Sequence, residues 1–122
     1  KHSRLLTCYS GLLYLLAVYK SQRTVSPSDA MSMVCLTPTQ RLEWMLSKPS
    51  LRNTHPTVRK LLRSYGLFLQ TTNAHEDELI ERFMHKSTSQ SYMRAAGKFG
   101  DLVFKALEQV GNGNEFHRLL VV

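Results

Sequence analysis

The segment Leu5 to Tyr19 limits the possible folds more than any other stretch of the chain. Leu5, Leu6, Tyr9, Leu12, Leu13, Leu16 and Tyr19 recur at helical spacing, and Leu15 and Val18 widen the apolar surface until it runs nearly all round. A helix that is apolar on every side must be enclosed, by lipid or by other helices. This one falls short of the roughly 20 residues that span a bilayer. Thr7, Ser10 and Gly11 also interrupt it. The expectation is a buried first helix with others packed around it.

The remaining sequence supplies those others. Ser26-Pro27-Ser28-Asp29 reads as a cap with Pro in the first turn, opening a short helix through Cys35. Thr37 and Gln40 form a capping-box pair around Pro38, and the helix they open carries Leu42, Trp44, Met45 and Leu46 before Pro49 closes it. Ser50 to His55 reads as a loop. From Pro56, the residues Val58, Leu61, Leu62, Tyr65, Phe68 and Leu69 make one continuous stripe, and Gly66 marks a bend or a close crossing.

Asn73 with Glu76 repeats the capping pattern and introduces a helix that sends Leu79, Ile80, Phe83 and Met84 to the core, with His85 and Lys86 at its end. After a Ser/Thr/Gln linker, Tyr92, Ala96, Phe99, Val103, Ala106 and Val110 step at 4, 3, 4, 3 and 4, with Gly111 as the stop. Gly97 and Gly100 either allow close packing there or split the segment. Asn112-Gly113-Asn114 is a turn. The fold class expected is all-α, a compact bundle of five to seven helices forming a single domain over residues 1 to 122. The first residue is Lys1, and the apolar stretch Phe116 to Val122 ends abruptly, so the chain reads as a fragment of a longer one.

Charge is divided along the chain. Residues 1 to 65 hold ten Lys/Arg against the two acids Asp29 and Glu43, and residues 66 to 122 hold six against seven, within a net charge of +7. Such a basic half suits phosphates, acidic lipid or an acidic protein face. Arg41, Lys48, Arg52, Arg59, Lys60 and Arg63 sit on two helices joined by a short loop, so they form one expected polyanion surface, with His55 between its halves. Trp44, Tyr65 and Phe68 fall on apolar stripes rather than among these charges, which gives base stacking little support.

Glu76, Asp77, Glu78 and Glu81 are the second set. Helix-end electrostatics account for them. As a complement to the basic surface of another copy, they would also make a head-to-tail self-association site and hence a homo-oligomer.

Catalytic patterns are sparse. Cys8 and Cys35 lie in apolar surroundings, outside any metal-ligand spacing, and read as reduced core residues. Glu81 and His85 read as a surface ion pair. No nucleophile elbow, zinc-protease motif or P-loop occurs, so neither an enzyme nor a cofactor or metal is expected. No Asn-x-Ser/Thr acceptor occurs, which leans toward a cytoplasmic or nuclear setting.

From the third helix onward the chain resembles the amino-terminal domain of orthomyxovirus (influenza-type) matrix proteins. Leu42-Glu43-Trp44-Met45-Leu46-Ser47-Lys48-Pro49 is similar to that family's aliphatic-acidic-Trp helix ending in a basic residue and Pro. Pro56, Gly66-Leu67-Phe68-Leu69, Arg82-Phe83 and Met93-Arg94-Ala95 follow at broadly similar spacing, over about half the chain. The resemblance implies a helical domain that polymerises beneath a membrane, binds acidic lipid headgroups through a basic face and contacts the viral ribonucleoprotein, which would place it at the inner face of a membrane or in a virion. The chain departs from the family in its Met93 to Lys105 segment, where Arg94, Lys98 and Lys105 stand with Asp101 instead of a dense basic run. The second reading is a helical adaptor in a larger complex, covering a protein partner with Leu119, Leu120, Val121 and Val122.

Overall fold

The computed structural model describes residues 2–115 and 117. Six α-helices follow in order: α1 His2–Gln22, α2 Pro27–Cys35, α3 Pro38–Leu46, α4 His55–Thr72, α5 Glu76–Met84 and α6 Lys86–Gly111. A 3-10 turn, Pro49–Thr54, joins α3 to α4. No strand occurs among the described residues. The expected all-α bundle is what forms.

Its short helices start where local chemistry says they should. The Ser26 side chain accepts from the Asp29 backbone N–H while the Asp29 carboxylate accepts from the Ser26 N–H, and Thr37 and Gln40 do the same around Pro38. Each pair satisfies two backbone donors that a helix start leaves without partners.

α1 packs against α6, α3 and α2 and forms the hub of the bundle. Leu6, Leu13, Leu16 and Ala17 face a core completed by Leu42, Met45, Val58, Leu61, Phe99 and Val103. Ala96, Phe99, Val103, Ala106 and Val110 are buried, so the 4-3 stripe of α6 faces inward as its spacing predicts. Tyr14 stacks obliquely on Trp44 with ring centroids 4.1 Å apart, which fastens α3 to the hub.

Several expectations are corrected. α1 is not enclosed all round: Ser3, Arg4, Thr7 and Cys8 are exposed on its first turns. Cys8 and Cys35 are therefore surface thiols rather than core residues. Ser50 to Thr54 is 3-10 turn instead of loop, and Leu51 and Thr54 from it are buried. Gly66, Gly97 and Gly100 have open space where a side chain would go, and α4 and α6 run unbroken through them. The Ser/Thr/Gln linker is the opening of α6.

α5 differs most. It begins at Glu76 with His75 as its cap residue and no side-chain cap bond, so Asn73 is not the cap and instead ends α4. None of its residues is buried: Ile80, Phe83 and Met84 are exposed and Leu79 is half-buried. The reason is placement. α5 leans on α6 at the rim, with Phe83 against Tyr92 at 4.6 Å, and nothing among the described residues covers its outer side. The chain leaves helical geometry at His85, so the Glu81–His85 pair loses its i, i+4 alignment and does not form. The apolar end Leu119, Leu120, Val121 and Val122 lies outside the described residues.

Candidate functional site: a basic stripe and an apolar groove

The six expected cations do not share one surface. Arg41 turns inward: its Nε donates to the Met33 carbonyl at 2.9 Å, and its Nη1 donates to the Thr7 carbonyl at 3.3 Å and the Ser10 hydroxyl at 3.2 Å. It ties α3 to α1 and α2, next to Gly11, where an added methyl would lie 3.2 Å from the Met33 sulfur. A half-buried guanidinium that donates to three acceptors on two other helices is held by the fold rather than presented with the outer cations. Lys48 lies over the Trp44 ring, its Nζ 4.8 Å from the centroid, and is half-buried.

Three of the others share a face of α4. Arg59, Lys60 and Arg63 fall within one 100° sector of α4, at i, i+1 and i+4, and Arg52 precedes them on the 3-10 turn. All four are exposed, and no carboxylate stands within salt-bridge distance of them among the described residues. Leu67, also exposed, continues the same stripe two turns beyond Lys60. His55 secures the base of α4: its Nε2–H is shared between the Met45 and Lys48 carbonyls at 3.2 and 3.0 Å, capping the end of α3.

Glu76, Asp77, Glu78 and Glu81 are all exposed on α5, where the first three complement the positive end of the helix dipole. Glu78 pairs with Arg82, the one ion pair among the described residues, and the other three carboxylates have no such partner. Glu43, on α3, is exposed as well.

A feature with no sequence signal appears at the amino-terminal end of α1. His2 is buried at 4% exposure, stacked on Phe68 at 4.3 Å and tilted against Phe99 at 4.9 Å. Two adjoining grooves of about 310 and 280 Å³ open beside it, sharing His2, Phe68 and Tyr92 as common lining. Tyr92 donates its hydroxyl to the Thr71 carbonyl at 3.2 Å and so bridges α6 to α4 across the groove.

Burial pushes the His2 imidazole below its ordinary value of 6.5. As pH falls, the unfolded chain binds this proton before the folded one does. Stability is therefore complete above the ordinary value and declines as pH drops through the window between the two states. Asp29 does not contribute in that window, since the Ser26 N–H and hydroxyl hold its carboxyl below the usual range. Urea midpoints measured from about pH 7 to about pH 5 should fall, and His2→Phe, which keeps the stacking, should flatten that slope.

Among the described residues no cluster of His, Cys, Asp and Glu could hold a metal ion, and no helix is long and apolar enough to cross a membrane. No family model, curated protein or solved structure matches the chain. The stripe on α4, the groove beside His2 and the uncovered side of α5 are places where the described surface offers chemistry to a partner.

Proposed function

We propose that this domain is a non-enzymatic assembly module, matrix-like in its action, that lays the outer stripe of α4 on an acidic membrane surface. The observation that carries the reading is the set Arg59, Lys60 and Arg63, exposed along one side of α4 with no carboxylate within salt-bridge distance among the described residues. Cations that lack internal partners lose nothing by turning to external anions, and each near an acidic bilayer contributes about 1 kcal/mol. Leu67 on the same stripe favours lipid over nucleic acid, because an apolar side chain among basic ones gains area at the headgroup boundary. Aromatic rings that would stack on bases are absent from the stripe itself.

α5 supports the self-association part of the reading. It presents the unpaired Glu76, Asp77 and Glu81 beside exposed Ile80, Phe83 and Met84, a surface complementary in charge to α4 of another copy. Such a contact joins different faces and propagates head to tail. The same cations cannot serve lipid and neighbour at once.

Co-sedimentation with vesicles of phosphatidylcholine alone, or mixed with phosphatidylserine, tests the proposal. Binding to the mixed vesicles alone, weakening as salt rises, is the expected result. Equal capture by both kinds would sink it. Retention on single-stranded RNA that vesicles fail to displace would shift the polyanion to nucleic acid.

A further inference from the structure

The groove between α4 and α6 is bounded by two walls whose register is fixed. Ser64, Leu67 and Thr71 line it from α4, and Ser91 and Ala95 line it from α6, with His2 and Phe68 beneath. Tyr92 meets Thr71 while Phe99 meets Tyr65, 6.4 Å between ring centroids, so the two helices run antiparallel.

Helical spacing then places a cation on each wall at the same end. Lys60 precedes Ser64 by four residues and Leu67 by seven, which continues the α4 wall by one turn. Lys98 follows Ala95 by three and Ser91 by seven, which continues the α6 wall by one turn. Antiparallel packing brings both extensions to the end away from α5. Both lysines are exposed and unpaired, and Arg63 stands beside Lys60; Asp101, one turn past Lys98, is the acid that partly offsets them.

Toward the other end the groove continues into the second cavity, where Phe83 and Met93 line it under α5. α5 has no buried residue of its own and bounds this cavity from the rim. His2 at the floor is held toward its neutral form by burial. The whole is an apolar trough with a basic mouth.

We propose that this groove binds a medium-chain fatty acid, its hydrocarbon tail running over Phe68 and Tyr92 toward Phe83 and Met93 and its carboxylate held between Lys60 and Lys98. Length suits it: each cavity lies near the lower end of the range for small-molecule sites, which fits one thin chain better than a folded or ringed ligand. The site goes beyond the lipid-surface reading, since a monomeric amphiphile in solution needs no bilayer, and either proposal can fail alone.

Calorimetry with octanoate, decanoate and dodecanoate, each below its micelle concentration, reads the tail. Binding should tighten roughly tenfold for each added pair of methylenes. Dodecanol reads the head: it should bind more weakly than dodecanoate, and Lys98→Glu should weaken dodecanoate at least tenfold while leaving dodecanol alone. Ala95→Trp, an exposed position where bulk enters the groove and not the core, should abolish both. Its fold is checked by circular dichroism. Absence of dodecanoate binding to the parent chain, a chain-length series without trend, or unchanged binding to folded Ala95→Trp would each overturn the proposal.

Discussion

Replacing Arg59, Lys60 and Arg63 together by glutamate is expected to weaken binding to phosphatidylserine-containing vesicles by more than about a hundredfold. Losing three surface cations removes about 3 kcal/mol at roughly 1 kcal/mol each, and the introduced carboxylates add repulsion from the same headgroups. The fold should not respond, because all three side chains are exposed and none makes a hydrogen bond or ion pair among the described residues. Changing Arg41 is the informative contrast. It belongs to the same stretch of sequence, yet its guanidinium is occupied by Met33, Thr7 and Ser10. Arg41→Gln should therefore lower stability by about 1–3 kcal/mol and leave vesicle affinity of the folded protein nearly unchanged. Vesicle binding by the triple variant equal to that of the parent chain would remove α4 as the docking face.

The contrast between Arg41 and its neighbours shows what a sequence reading reaches. Capping by Ser26 with Asp29 and by Thr37 with Gln40 was legible because both partners lie three residues apart, and the structure forms both boxes. The inward stripe of α6 was legible for a similar reason, since a 4-3 spacing states which residues share a face. Periodicity does not state whether another element covers that face. α5 has an apolar side as regular as that of α4, but it sits at the rim, and Ile80, Phe83 and Met84 stay exposed. Arg41 failed for a related reason: its side chain spans a gap to acceptors 31 and 34 positions earlier, and local spacing carries no trace of them. His2 and its groove were invisible because the ring's partners, Phe68 and Phe99, come from distant helices that only the bundle brings together.

Phe99→Ala should cost about 3–5 kcal/mol, the largest stability loss expected from a single truncation here. Phe99 is fully buried, on the α6 face that meets α1 and α4, with His2 at 4.9 Å and Tyr65 at 6.4 Å. Removing its ring leaves a void that these side chains cannot close without moving the groove floor, so the cost includes a cavity as well as lost transfer energy. Thermal unfolding should drop by roughly 10–20 °C for a domain of this size. Phe104→Ala deletes the same ring five residues along the same helix, but Phe104 is 47% exposed and touches only Tyr9 at 6.3 Å among the aromatic rings. Its expected loss is under about 1 kcal/mol. Phe99→Leu, which keeps most of the volume, should recover the greater part of the deficit. Equal effects of the two alanine substitutions would mean that α6 does not present its 4-3 stripe to the core, and the antiparallel register that brings Lys60 and Lys98 to one end of the groove would fall with it.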